Sequence, residues 1–542
     1  MQTNTENKNK KIGTILGVLF LLLIGIKWSL GLSEHMDILF GDEAEYMRNG
    51  LGLFKVIRND WGPAYNLWYK ALSFIFTDNI ELYYANYIIG AIVVSILLFI
   101  ALCTYNFRPI TALYISFCFL VSPININTWP RISHFILILV LIALIIIYRI
   151  PSIAKKLLTL LILCSIACYA RPDLLFVVAM LTPLTLYFIY QERKNIKSFI
   201  PLLLILLSSI LFFGLVFGLP SSTYKGGLDR LYSAFCQHYT INYKYLTHSS
   251  FDAVTEWISF CKQKFPDCNT LSDIIRKHPL DFLQHFLFNL KNYVILLFTT
   301  FLSFLFPTGI YQSKKGIFIA ISLLVGLIYF VLISKERRMR FQSLLKEHRL
   351  VLFFLFVFGL PAIGMCCIIF PRPHYLLLHS LLILFLLAIL IESIAFKLSY
   401  RWLYIIPSGI LLLLLGPRAD HYKYMQFGKD MNNLCDQQLI RYLQKNKTKK
   451  FVVLTNYLNI TYLLPKNYSE FSTEFELKEE MDFSLLIKEK GINIVLVSEN
   501  IIQNPILRAD TMWNNLLIMP EKYQFKKVKY SDICESYLLI KE

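Results

Sequence analysis

The sequence predicts a polytopic α-helical membrane protein with a small C-terminal α/β domain, and three observations predict it. Of its 542 residues, 56% are hydrophobic and 17% charged, with a mean hydropathy of +0.53, far from the balance of a soluble globular chain. Long apolar runs recur from residue 12 to residue 416. From residue 417 the chain turns polar and stays so to Glu542, with short strand-like and helix-like patterns.

The runs long enough, or nearly so, to cross roughly 30 Å of hydrocarbon lie at 12–30, 83–103, 109–123, 133–148, 157–170, 173–190 and 199–219. A second group lies at 289–307, 316–333, 350–370, 374–392 and 401–416, giving about 11 to 13 spans in all. The first run is no cleavable signal peptide, because Lys27 and Trp28 interrupt its end and no small-x-small site follows.

Lys and Arg, held on the cytoplasmic side in short loops, set the orientation. Basic clusters sit at Lys8, Lys10 and Lys11, at Arg149, Lys155 and Lys156, at Arg193, Lys194 and Lys197, and in KERRMR from Lys335. With the first three inside, strict alternation through seven runs puts residues 31–82 and the long loop 220–288 outside. Beyond that loop, alternation and charge disagree. If 289–307 spans, KERRMR faces outward; if it is re-entrant or interfacial, KERRMR is cytoplasmic and the tail external. The density of KERRMR favours the second arrangement, with eleven full spans, although Lys314 and Lys315 pull the other way. Residues 1–416 are then the transmembrane domain and 417–542 a soluble periplasmic α/β domain. The net charge of +18 needs no nucleic acid, since cationic loops against an anionic leaflet account for it.

In the tail, FVVLT from Phe451 and INIVLVS from Ile492 read as buried strands, DFSLLIKEKG as a helix stopped by Gly491, and ESYLLIK as a last strand. Asn446, Asn459 and Asn467 begin N-x-S/T triplets, which chance explains in an Asn-rich chain. Of eleven cysteines, six lie in apolar runs. An oxidising compartment would permit bridges from Cys261 to Cys268 and from Cys435 to Cys534. No C-x-x-C or His cluster suggests structural zinc.

The stretch FGDEAEYMRNG, residues 40–50, gathers Asp42, Glu43 and Glu45 just past the first run. As local structure, Asp42 at an N-cap with Glu45 three residues on is a capping box, and Tyr46 then lies one turn from Asp42 on an interfacial helix. As chemistry, these carboxylates are tethered where a reacting group on a lipid would lie. Downstream, NDWGPAYNLWYKALSFIF supplies Asp60 and an amphipathic aromatic helix. Two carboxylate sites on one outer loop can divide a group transfer, one taking a proton from the acceptor and the other orienting a sugar or a cation.

Cations sit at other span ends on the same side: Arg131 and His134 in NTWPRISH, Arg171 and Asp173 in YARPDLLF, and Arg372, His374 and Tyr375 in FPRPHYLLL. Arginine's rigid fork of donors suits phosphate oxygens, and ionisable groups near a membrane face a cavity or a partner. Each alone also reads as a snorkelling anchor. The loop 220–288, with Tyr224, Tyr232, Tyr239, Tyr243 and Tyr245 beside Lys225, Arg230 and Lys244, reads either as a lid or acceptor groove or as an interfacial aromatic belt.

An Asp-Glu-x-x-Tyr motif after the first span, an acid then Pro with an aromatic helix, Arg-Pro-Asp at a middle span and Arg-Pro-His-Tyr-Leu-Leu near the end resemble the GT-C superfamily of membrane glycosyltransferases. The nearest likeness is to the aminoarabinose transferase and protein O-mannosyltransferase branch, over roughly residues 10 to 415, and order and topology carry it. The resemblance implies transfer from a polyprenyl-phosphate sugar donor, with inversion, to a glycan, lipid or protein acceptor at the outer face. By resemblance, Asp42 is the base, Glu43 supports it, and Asp60 takes the second acid's place. Arg372 and His374 meet the leaving phosphate, with Tyr375, Arg131 and Arg171 behind them. Tyr46, Arg58 and His134 are donor or acceptor contacts. A divalent cation is compatible with the acids, and the superfamily's varied metal use assigns none. The chain departs from the pattern at Asp60-Trp61-Gly62-Pro63, where the branch has Lys-Pro; Lys55 or Arg58 could replace that lysine.

Two rival classes remain: a polymerase or ligase of lipid-linked glycans, and a transporter or flippase. The latter predicts internal repeats and helices broken at the midplane, and neither is visible. Length and the lack of eukaryotic sorting signals point to a bacterial inner membrane.

Overall fold

The structure is a computed structural model that describes every residue except 1, 54–61, 221–228, 252, 254–255, 306–313, 395–401, 427–428, 446–449, 457–459, 465–466 and 474–481. The chain is mostly helical and divides into two units. The first comprises Met1–Ser29, Val56–Tyr65 and Tyr87–Arg418; the second comprises Leu30–Lys55, Asn66–Asn86 and Ala419–Glu542. The acidic segment after the first run therefore folds with the tail, whereas the sequence places it in the transmembrane domain.

The elements used below are, in chain order, α1 (Gln2–Ser29), α2 (Asp42–Leu51), α3 (Pro63–Leu72), α4 (Asn79–Thr104), α5 (Pro109–Leu120), α6 (Ile132–Tyr148), α7 (Ile153–Ala167), α8 (Leu175–Gln191) and α9 (Ile200–Phe217). There follow α10 (Arg230–Thr247), α11 (Trp257–Lys264), α12 (Leu271–Lys277), α13 (Pro279–Leu305), α14 (Lys314–Ile333), α15 (Lys335–Glu347), α16 (Arg349–Ile368), α17 (Pro373–Ile394), α18 (Ile405–Leu415), α19 (Cys435–Gln444) and α20 (Phe483–Lys490). Among the described residues, seven helices are long and apolar enough to cross a membrane, and shorter apolar helices include α5, α6 and α18. Their exposed side chains are those a lipid would cover: Leu204, Phe212 and Leu215 on α9, Phe318 and Tyr329 on α14.

Polar contacts sort the helix ends of the first unit into two faces. At one face Lys10 Nζ donates to Asn106 Oδ1 (2.8 Å), Asn106 Nδ2 donates to the Tyr148 hydroxyl (2.7 Å), and His348 stacks on Phe107. There Glu392, near the end of α17, accepts from Arg108 Nε (2.7 Å) and Thr111 Oγ1 (2.8 Å) and lies 3.5 Å from Arg340 of KERRMR. Arg108 and Glu392 are both buried, and each satisfies the other's charge, which burial requires. At the opposite face Lys27 Nζ donates to the Leu413 carbonyl (2.7 Å), Trp28 packs on Tyr87, and Ser133 donates to the His374 carbonyl (2.7 Å).

Helix α13 meets this second face near both of its ends. Near its start His285 Nε2 lies 3.1 Å from the Ile368 and Ile369 carbonyls at the end of α16. Tyr293 reaches His379 in the second turn of α17, and Phe304 packs on Phe119 at the end of α5. Both ends of α13 thus meet helix ends of one face.

The 230–277 segment forms a helical subdomain. Phe235, Cys236 and Tyr239 of α10, Cys261 of α11, Phe265, Cys268, and Leu271 and Ile274 of α12 are buried together with Ile369. Tyr232 and Tyr243 pack against this core, whereas Tyr245 is 68% exposed. Tyr232, Tyr239 and Tyr243 thus contribute to the packing of this subdomain, whereas Tyr245 stands outside it. Tyr224 and Lys225 lie outside the described residues.

In the second unit, strands β1 (Phe451–Thr455), β2 (Tyr468–Ser472), β3 (Ile494–Val497), β4 (Phe525–Val528) and β5 (Tyr537–Lys541) form one mixed sheet in the order β2-β1-β3-β5-β4. The β1 strand pairs parallel with β2 and β3, and β5 pairs antiparallel with β3 and β4. Helix α20 starts at an Asp482 cap and stops at Gly491, and its Phe483 packs edge-on against buried Trp513 over Val495 and Leu539. Cys435 and Cys534 form a disulfide. Helix α19 has Leu434 at its N-cap, which offers no side-chain acceptor; Asp37 takes that role, accepting from the Asp436 (2.9 Å) and Gln437 (2.7 Å) amides.

Candidate functional site

Three turns that the sequence separates by up to about 240 residues meet in the first unit. Ser133, next to Arg131 and Ile132 at the start of α6, is the hub: its hydroxyl donates to the His374 carbonyl and accepts from Arg171 Nη1 at 3.1 Å. Arg171 also forms a two-pronged pair with Asp173 (3.1 and 2.7 Å), and its guanidinium lies 4.8 Å from the centroid of Tyr375. The His374 ring hydrogen-bonds the Trp129 carbonyl and lies 4.1 Å from Tyr375. Arg131, Arg171, His374 and Tyr375 are thereby brought into one cluster, with proline-limited turns at Pro130, Pro172 and Pro373 fixing where each side chain leaves the backbone.

The cations differ in what occupies them. Arg131 is 1% exposed; its Nη1 donates to the Asn125 carbonyl, Nη2 to the Ile126 carbonyl (3.2 Å), and its plane lies 3.6 Å from the centroid of Tyr87. His134 is 2.6 Å from Arg131 Nη1 and 3.1 Å from Asn125 Oδ1. Arg131 and His134 therefore lock the α5–α6 connection. Arg372 is half-buried, and its Nη2 donates to His238 Nε2 of α10 at 2.7 Å. Burial pushes the His238 imidazole well below its ordinary pKa, and the charge of Arg372 pushes it further. His238 is thus neutral with Nε2 as the acceptor, its proton on Nδ1, which is buried without a hydrogen-bond partner among the described residues.

The carboxylates lie in the second unit. Helix α2 begins at Asp42, and its N-cap is Gly41, whose backbone (φ 124°, ψ −143°) is open only to glycine. The capping box expected of Asp42 and Glu45 is absent for that reason: no side chain caps the helix, and the Glu45 amide donates to the Gly41 carbonyl (3.1 Å). Asp42 is exposed in the first turn. Glu43 is buried, accepting at Oε1 from the Tyr69 hydroxyl and from Asn86 Nδ2 (2.9 Å), while Asn86 Oδ1 accepts from Trp68 Nε1 (2.8 Å). Gly50 lets α2 close on α3, since a Cβ there would lie 2.6 Å from Tyr69 Cβ. Glu45 accepts from Asn49 (3.3 Å) and Tyr46 is buried. Asp60, Arg58 and Lys55 lie outside the described residues.

Sequence reasoning missed His238, Tyr69 and Asn86, since no local pattern marks a polar residue that becomes a partner only after folding. Among the described residues no three His, Cys, Asp or Glu side chains gather as a metal site. A cavity of about 510 Å³ in the second unit is lined by Thr77, Asp78, Arg441 and Lys445, with none of the expected site residues. No family model matches the chain, and no curated protein matches it.

Proposed function

We propose that this integral membrane protein is an inverting glycosyltransferase of the GT-C kind, which moves a sugar from a polyprenyl-phosphate donor to a glycan, lipid or protein acceptor outside the membrane. The observation that carries this reading is the meeting of the 129–134, 171–173 and 372–375 turns, with half-buried Arg372 held by neutral His238. As the bond from the anomeric carbon to the phosphate oxygen breaks, negative charge grows on the leaving phosphate, and donors fixed in a water-poor setting act on the transition state more than on the ground state. Arg372 and Arg171 are assigned to that phosphate, with Arg131 holding the turn beneath them. Asp42 is assigned the acceptor proton. Glu43, clamped by Tyr69 and Asn86, fixes the helix that presents Asp42.

The reading places the face with Lys10, Arg108 and Arg340 in the cytoplasm. Helix α13 then lies along the outer surface, eleven spans cross, and the tail is external. All free cysteines are buried, so an introduced cysteine reports cleanly: Glu521→Cys should react with an impermeant maleimide from outside and Lys335→Cys only after permeabilisation. The opposite pattern overturns the orientation.

Native mass spectrometry of gently extracted protein tests the site. Wild type and Asp42→Asn should carry an isoprenoid phosphate or its sugar adduct, and Arg372→Ala should lose it. Ordinary phospholipids alone in all three would refute the donor site and favour a transporter; transfer retained by Asp42→Asn would remove Asp42 as the base.

A further inference from the structure

The Cys236–Cys261 pair stands apart from the phosphate cluster and from the expected bridge. Both side chains are buried, at 0% and 2% exposure, on neighbouring helices α10 and α11. The Cys261 thiol lies 3.5 Å from the Cys236 carbonyl and 3.6 Å from Thr240 Oγ1, and the two thiols hydrogen-bond each other. The contact between the thiols pushes the Cys236 thiol above its ordinary pKa and draws Cys261 below it. Cys268 shares the same core.

The surroundings favour oxidation. The chain already carries the Cys435–Cys534 disulfide, a bond that persists in oxidising compartments. The 218–278 loop and the tail leave the first unit at one face: Lys27 reaches the Leu413 carbonyl close to where the tail departs, and His285 reaches Ile369 where the loop returns. Whichever side of a membrane receives the tail receives the loop. We propose that Cys236 and Cys261 form a second disulfide in the mature protein, a staple that fixes α10 and with it His238 against Arg372. This goes beyond the glycosyltransferase reading and holds whether or not that reading does.

The chemistry needs a protein or small-molecule disulfide as oxidant. The Cys261 thiolate attacks one oxidant sulfur, forming a mixed disulfide and releasing the other sulfur as a thiolate. The Cys236 thiolate then attacks the Cys261 sulfur, closing the intramolecular bond and expelling the second oxidant thiolate. The oxidant takes two electrons, and the two cysteine protons end on its thiols. Since both sulfurs are sealed in the folded protein, exchange precedes closure of the core, and the finished bond is then shielded from soluble reductants.

Trypsin separates the three cysteines, because Arg230, Lys244, Lys262, Lys264 and Arg276 place Cys236, Cys261 and Cys268 on different peptides. Protein purified without reductant is unfolded in acid, alkylated and digested, with the Cys435–Cys534 link as the internal control. The expected result is one cross-linked species equal to the 231–244 and 245–262 peptides less two hydrogen atoms, with Cys268 fully alkylated. Alkylation of all three cysteines in molecules whose Cys435–Cys534 link is intact overturns the proposal, as does a Cys261–Cys268 link. In Cys261→Ser, Cys236 should become fully alkylated; its persistence in a cross-link to Cys268 also overturns the assignment.

Discussion

Protonation of Asp37 should stabilise the second unit, and the size of the effect follows from its surroundings. Asp37 is 1% exposed, and burial, then the neighbouring Asp436 carboxylate, raise it from 3.8 to about 6 against the lowering effect of the Asp436, Gln437 and Ile38 amides. A raised carboxyl contributes stability that is fully present below its unfolded pKa and is lost as pH rises through its folded pKa. The shift of about 2 units corresponds to about 3 kcal/mol lost by neutral pH, of which roughly half returns by about pH 5. Asp37→Asn removes the charge and keeps Oδ1 for the Ile38 and Gln437 amides, but it turns an N–H toward the Asp436 amide, at a cost of about 1–3 kcal/mol. The level of stability at neutral pH therefore changes little, and the diagnostic is the slope. Pulse proteolysis of the full-length protein in urea, following a C-terminal tag, should show the wild-type midpoint rising between about pH 7 and pH 5 by the equivalent of about 1 kcal/mol more than in Asp37→Asn. Parallel pH profiles for the two proteins would refute the reasoning.

Two further perturbations have worked magnitudes. Cys435→Ser with Cys534→Ser opens a link with a sequence separation of 99, and loop-closure entropy puts the loss near 4–5 kcal/mol; the same proteolysis midpoint should fall, and an unchanged midpoint would show that the bridge adds nothing. Glu392→Ala removes the carboxylate that balances the charge of buried Arg108, whose side chain is 5% exposed, at a cost of about 3–5 kcal/mol, read as loss of monodisperse protein in detergent; the paired Arg108→Met with Glu392→Met should recover most of it.

Much of the fold was legible because the signals were local. The apolar runs carry their own period, Gly491 stops α20 where the sequence places it, and β1, β3 and β5 are buried enough to read as strands. The β4 strand was missed because Lys526 and Lys527 face outward at a sheet edge, which disguises its pattern. The cation turns were legible as separate motifs, since each Arg sits beside a proline. Their occupancy was not: Arg131 is held by the Asn125 and Ile126 carbonyls and the His134 ring close by in the chain, whereas Arg372 reaches His238, 134 residues away. The Asp37 cap on α19 is the extreme case, with partners 400 residues apart.

The acidic stretch shows how burial can divide the work of adjacent, chemically similar residues. Burying Glu43 without partners would cost several kcal/mol, so Tyr69 and Asn86 on α3 and α4 dictate how α2 is rotated. Successive helical positions differ by about 100°, so anchoring Glu43 inward turns Asp42 toward water. Gly41 strengthens the constraint: a capping box would have tied the Asp42 side chain to the backbone, and the glycine start leaves it clear of that bond. Removing the anchor should therefore act through presentation. Glu43→Gln keeps an acceptor for Tyr69 and should largely preserve transfer, whereas Tyr69→Phe with Asn86→Ala should lower it while leaving bound isoprenoid phosphate in place. If Glu43→Gln instead abolishes transfer with the fold intact, the buried carboxylate is itself the base, and Asp42 is the support.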